Sequence, residues 1–118
     1  MSKTLTGMGV SPGIAIGEPV VHETRPISVL RITIPTDQVE NEVERFSSAV
    51  TATVDTIWEN RERARTEMGD EYAGIFEAHQ LIATDPSFVE PVKRIIREER
   101  VNAEWATDQV VGELVARF

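Results

Sequence analysis

The strongest constraint in this chain is one apolar stripe. Val39, Val43, Phe46, Val50, Val54 and Ile57 recur at intervals of three or four residues, the spacing that lines up side chains on one face of an α-helix. No proline falls between Pro35 and Gly69. The spacing predicts a helix from Thr36 or Asp37 to Met68, roughly 32 residues and about 48 Å at the helical rise per residue. Asp37 followed by Glu40 fits a capping box, and Gly69 suits a left-handed stop. A helix that long calls for helical neighbours along it.

The rest of the chain after Gly69 keeps a helical texture. A second helix is predicted with Asp70 as its cap and Ile75, Phe76, His79, Ile82 and Ala83 along it. Ile75 and Phe76 are assigned to the core. Asp85-Pro86 ends that helix and starts another, with Asp at the N-cap and Pro at the first helical position. Val89, Val92, Ile95 and Ile96 form the buried side of this third segment. Pro91 conflicts with it, because mid-helix proline removes a bond and clashes with the preceding turn. Either a kink there or a helix that begins near Pro91 is expected. Asn102 caps a last helix carrying Trp105, Val110, Leu114 and Phe118.

Before Pro35 the texture differs. Gly7, Gly9, Gly13, Gly17 and Pro12, Pro19, Pro26 punctuate β-branched runs at 14–16, 20–21 and 31–34, which read as short strands broken by turns. The expected fold class is mainly α (α+β): a helical-hairpin bundle over 36–118, preceded by short N-terminal strands over 1–35.

Composition excludes several functions. Hydrophobic residues at 41% and charged residues at 27% allow a buried core. The absence of cysteine removes disulfides, thiol nucleophiles and cysteine-based metal sites. A formal charge of −8 argues against nucleic acid, since phosphate contacts need a concentrated basic face. The basic runs RERAR (61–65) and KRIIREER (93–100) read as solvated helix faces. With no signal-like start and no apolar run near the ~18 residues a bilayer needs, no membrane association and a cytoplasmic location are expected.

Candidate motifs for chemistry are weak. GMGVSPG (7–13) has the wrong glycine spacing for a dinucleotide loop and lacks GK[ST], so a tight turn is the better reading. Glu77 and His79 are two apart and point in different directions on a helix. His22 lies in the other regime, and no HExxH is present. Taken alone, His79 reads as a structural histidine, and neither a metal site nor a catalytic site is expected.

Three blocks, taken together, resemble the N-terminal region of Enzyme I of the bacterial phosphoenolpyruvate:sugar phosphotransferase system. They are GVSPGIAIG (9–17), DQVENEVERF (37–46) and GDEYAGIFEAHQLIATDP (69–86) leading to VNAEWA (101–106). The resemblance implies the opening strands of a phosphohistidine α/β subdomain over 1–35. It also implies, over 36–118, a helical subdomain, incomplete at its C-terminus, that docks the phosphocarrier protein HPr. The positions matching the docking surface are Asp70, Glu71, His79, Leu81 and Ile82. Asp70 stands where glutamate is common, and it has a structural explanation too, since acids favour a helix start. The phospho-accepting histidine of the family lies downstream in a G-G-x-x-S-H-type motif that this sequence lacks, and a magnesium-dependent barrel follows later still. The resemblance therefore implies a piece without the chemistry, with His79 facing HPr and carrying no phosphate. Pro91 departs from the family, where helix formers are usual.

Two other readings compete. The same region of a nitrogen-regulatory Enzyme I paralogue or of a multiphosphoryl-transfer protein would dock a related carrier. A structural dimerisation hairpin would need the apolar stripe sustained over several heptads, whereas Asn60, Arg61 and Arg65 weaken it after Ile57. Strands without sheet partners expose unpaired edges, so residues 1–35 are expected to be loosely ordered or paired with another chain, with self-association of the piece as one result.

Overall fold

The computed structural model describes residues 2–23 and 25–117. A short 3₁₀ turn, Thr36–Gln38, leads into α1 (Val39–Met68), followed by α2 (Asp70–Thr84), α3 (Pro86–Glu99) and α4 (Ala103–Ala116). The helices form two hairpins, α1 with α2 and α3 with α4, and the start of α1 packs against the second.

The apolar stripe of α1 is real but graded. Val39, Val43 and Phe46 are buried, whereas Val50, Val54 and Ile57 are only half-buried. The reason lies in what each part meets. The first turns of α1 face Val92 and Ile96 of α3 and Val101, Ala103, Ala106 and Val110 around the start of α4, and together these make the core. Phe88 closes it with an edge-on contact to Phe46, centroids 6.2 Å apart. Farther along, α1 has α2 as its neighbour, and the buried residues there are Ala64 and Ala73. Small side chains let the helices approach but remove little apolar area from water, so this arm is the weakly held part of the fold. Arg61 of α1, donating to Glu77 of α2 (3.0 Å), and the Gln80 amide, donating to the Val54 carbonyl (3.4 Å), add polar ties.

Helix ends show where sequence rules are overridden. The capping box at Asp37 does not form. Gln38 is the N-cap residue of α1, with no side-chain cap, and Glu40 instead accepts from Arg97 of α3 (3.0 Å). An interhelical partner has taken the carboxylate that the box required. Gly69 does stop α1, but at φ 98°, ψ 171°. That is an extended left-side conformation open in practice only to glycine, not the expected left-handed helical one. Asp70 is the first residue of α2 and not its cap; Gly69 occupies the cap position. Asp85 behaves as expected, its Oδ1 accepting from the Ser87 N–H (2.7 Å), with Pro86 at the first position.

Pro91 neither delays nor divides α3, which begins at Pro86 and is continuous to Glu99. The missing N–H falls in the second turn and forfeits the single ladder bond to the Ser87 carbonyl. The buried side of α3 is as expected, with Val92 and Ile96 fully buried and Val89 and Ile95 half-buried. Ile75 is a correction: at 63% exposure it is not core, and Phe76 is half-buried. On α4, Trp105 and Leu114 are half-buried and Val110 buried, while Phe118 lies outside the described residues.

The N-terminal strands are not seen. Among the described residues before Pro35 no strand forms, and Ile14, Ile16, Val20 and Val21 are exposed. The exception is local: Thr33 makes an isolated antiparallel bridge with Val101. A β-run acquires structure only where another backbone offers donors and acceptors, and here that backbone is the turn between α3 and α4.

Candidate functional site

The main concavity is an open groove of about 800 Å³ where the two hairpins meet. Ala49, Val50 and Thr53 of α1 form its floor together with Phe46 and Phe88. One wall is the C-terminal part of α2, through His79, Ile82 and Ala83, and the other is α4, through Val111, Leu114 and Val115. The lining is mostly apolar, with the hydroxyls of Thr53 and Thr107 among it and the ionisable groups at the rim, on Arg45, His79, Asp85 and Glu104.

The groove follows from the fold. Asp85 and Pro86 turn the chain sharply between α2 and α3, so the end of α2 is splayed from α4. Val111 and Val115 lie at i and i+4 beside the core residue Val110, widening the apolar face of α4 beyond what the bundle can cover. Ile82 is 62% exposed at the mouth. His79 stands next to it, its ring edge-on to Phe76 with centroids 6.2 Å apart.

At one rim the charges are interlocked. Arg45 donates to both carboxylate oxygens of Glu104 (2.7 Å each) and to Glu42 (3.1 and 3.2 Å from Nε). Glu42 in turn accepts from the Ala103 N–H (2.8 Å) at the start of α4. Arg45 holds the carboxyls of Glu42 and Glu104 below their usual range, chiefly by hydrogen bonding, and its own proton is held more tightly in return. At the opposite rim the Asp85 carboxyl is lowered by its bonds from Ser87.

Of the residues expected at a docking surface, His79 and Ile82 line the groove. Asp70 and Glu71 do not. They sit in the first turn of α2, about 13 Å along the helix axis from His79. Leu81 is 72% exposed but outside the lining. The sequence reading missed Phe88, Val111, Leu114 and Val115 as groove residues. A signal for them existed in Val110-Val111 and Leu114-Val115, adjacent apolar pairs that one narrow stripe cannot bury. Among the described residues no three His, Asp or Glu side chains converge as a metal-binding group. Among the described residues no helix is long and apolar enough to cross a membrane.

Residues 6–118 match the protein family described as "PEP-utilising enzyme, N-terminal". The chain belongs to this family. It is similar, at 37% identity over all 118 of its residues, to phosphoenolpyruvate-protein phosphotransferase of Priestia megaterium, and to the protein of the same name from Bacillus subtilis at 35% over 97% of the chain. It spans about 20% of the length of each. A solved structure described as "NMR solution structure of Enzyme I (nEIt) protein using two 4D-spectra" superposes with a TM-score of 0.71 at 33% identity. That alignment covers 78% of this chain and 37% of the other. Over that aligned part, the fold of this chain is therefore similar to the one in that structure.

Proposed function

We propose that this chain is the carrier-docking region of a phosphoenolpyruvate-protein phosphotransferase, and that its groove receives the phosphocarrier protein HPr for phosphoryl transfer in sugar uptake. The observation that carries the reading is the open apolar groove with His79 and Ile82 at its mouth, in a chain of this family. An apolar centre with a charged rim suits a protein partner that must bind and leave, because exclusion of water supplies affinity and the rim charges supply orientation. A net charge of −8 favours encounter with a partner of basic face. Asp70 and Glu71, exposed on the first turn of α2, act as an outlying acidic contact, and Leu81 flanks the groove.

In this reading residues 1–35 are the opening strands of the phosphohistidine subdomain. The phosphorylated histidine is supplied from the G-G-x-x-S-H-type motif that the resemblance places downstream, so His79 orients the partner and carries no phosphate. Magnesium belongs to the later barrel.

The test is an NMR titration of isotope-labelled HPr with this chain. Localised shifts around the active-site histidine of HPr, weakened by Ile82→Asp and to a lesser degree by Glu71→Lys, are expected. Undisturbed HPr spectra in the presence of the folded chain would refute docking.

A further inference from the structure

Asn102 stands at the N-cap of α4, yet its side chain does not cap that helix. Its Oδ1 accepts from the Ile32 N–H (2.9 Å), while Nδ2 donates to the Leu30 carbonyl (3.0 Å) and to Glu104 Oε2 (3.2 Å). Two backbone bonds extend the attachment, from the Asn102 N–H to the Ile32 carbonyl (3.1 Å) and from the Ile34 N–H to the Arg100 carbonyl (2.7 Å). Residues 30–34 are thus strapped across the α3–α4 turn. The capping role that Asn102 gives up passes to Glu42 of α1, which accepts from the Ala103 N–H. Asn102 is 5% exposed, and with its amide bonded on both sides it cannot turn back without orphaning a buried polar group.

The strap has its own cavity, of about 410 Å³, bounded by Leu30, Ile32 and Ile34 and by Asn102. Arg45 and Glu104 line this cavity and also line the apolar groove. One ion pair is therefore a wall of both spaces, and Glu104 Oε2 is an acceptor shared by Arg45 and Asn102. A change in how Glu104 meets Arg45 therefore acts directly on an acceptor of the Asn102 amide that holds the strap.

We propose that the Arg45–Glu104 pair is a latch coupling attachment of strap 30–34 to occupancy of the groove. With the strap attached, Asn102 holds Glu104 and so fixes Arg45 at the rim. A groove occupant that favours this rim arrangement favours the attached strap, and the coupling is reciprocal, as linkage between two sites requires. The identity of the occupant rests on the docking reading above; the latch itself does not.

The experiment is residue-resolved amide exchange on the full chain, first without any partner. Glu104→Ala and Arg45→Met sever the latch from α4 and from α1 respectively. Each is expected to speed exchange at Ile32 about fivefold, the effect of weakening one hydrogen bond, while the Ile96 amide in the core stays as slow as before. Unchanged Ile32 exchange in both variants overturns the proposal, as does equal acceleration at Ile96, which would report loss of the whole fold. In the second arm, saturating unlabelled HPr is expected to slow Ile32 exchange in the unmodified chain and not in Arg45→Met. Binding of HPr with no change at Ile32 overturns the latch. Failure of HPr to bind overturns the docking reading and the coupling to that occupant, while the partner-free comparison still decides whether the Arg45–Glu104 pair holds the strap.

Discussion

Glu42→Gln isolates an unusual feature, the capping of α4 by a residue of α1. The Glu42 side chain is only 12% exposed, accepts from the Ala103 N–H at 2.8 Å and is gripped by Arg45. Glutamine keeps the shape and one acceptor but loses the charge and turns an amide toward Arg45. Loss of a charged acceptor at a helix N-terminus costs about 1 kcal/mol. The ion pair adds at most about 1 kcal/mol more, because the Arg45 side chain is 55% exposed and keeps Glu104 as a partner. A destabilisation of about 1–2 kcal/mol follows, or roughly 4 °C in Tm per kcal/mol for a chain of this size. Urea unfolding followed by circular dichroism measures it, with Glu44→Gln as the control, since Glu44 is exposed on the same helix. If Glu42→Gln costs no more than Glu44→Gln, α4 does not depend on α1 for its cap and the reasoning fails.

The same carboxylates predict a pH dependence. Glu42 and Glu104 both titrate below their ordinary value of 4.5 in the folded chain, so their contribution is fully present above the unfolded value and is lost as pH falls through the lowered ones. Stability is expected to decline between roughly pH 5 and pH 3, less steeply in the Glu42→Gln/Glu104→Gln double variant, as thermal melts across that range would show. Gly69→Ala should cost about 1–3 kcal/mol from backbone strain alone, since an added Cβ meets nothing within 4 Å; an unchanged unfolding midpoint would contradict the φ of 98°. Ile96→Ala, at a fully buried position, should cost about 2–5 kcal/mol, measurable by the same urea titration. Ile82→Asp should weaken HPr binding at least about tenfold, a little over 1 kcal/mol, while Ile75→Asp leaves it unchanged, both read by the NMR titration.

Much of the helical layout was legible because its signals are local. The stripe from Val39, the stop at Gly69 and the Asp85-Pro86 start each depend on residues within one or two turns, and each marks a boundary within a residue or two. At several places where the reading failed, a distant partner had taken what a local rule had claimed. Glu40 went to Arg97 instead of a capping box. Asn102 went to Ile32 and Leu30, some 70 positions away, instead of capping its own helix. The β-branched run at 31–34 found only the Arg100–Asn102 turn to pair with. A short polar side chain satisfies local and long-range partners equally well, and periodicity carries no information about which one packing will bring within reach.

The candidate site shows the same limit more sharply, in two isoleucines. Ile75 and Ile82 lie seven residues apart on α2, two helical turns on one face, and at 63% and 62% they are almost equally exposed. Periodicity alone places both in a core stripe. The structure buries neither, because Ala73 gives α2 its close contact with the arm and leaves the larger side chains outside. What separates the two isoleucines is the second hairpin. The α2–α3 turn brings α4 opposite Ile82, so Val111 and Leu114 make that end of the stripe one wall of a groove, whereas Ile75 lies outside the groove lining. An exposed apolar side chain becomes a binding element when a second wall stands across from it, since only then can a partner's surface be desolvated on two sides. That second wall is a property of the angle between hairpins, set by Asp85, Pro86 and the core of α3, and not of α2 itself.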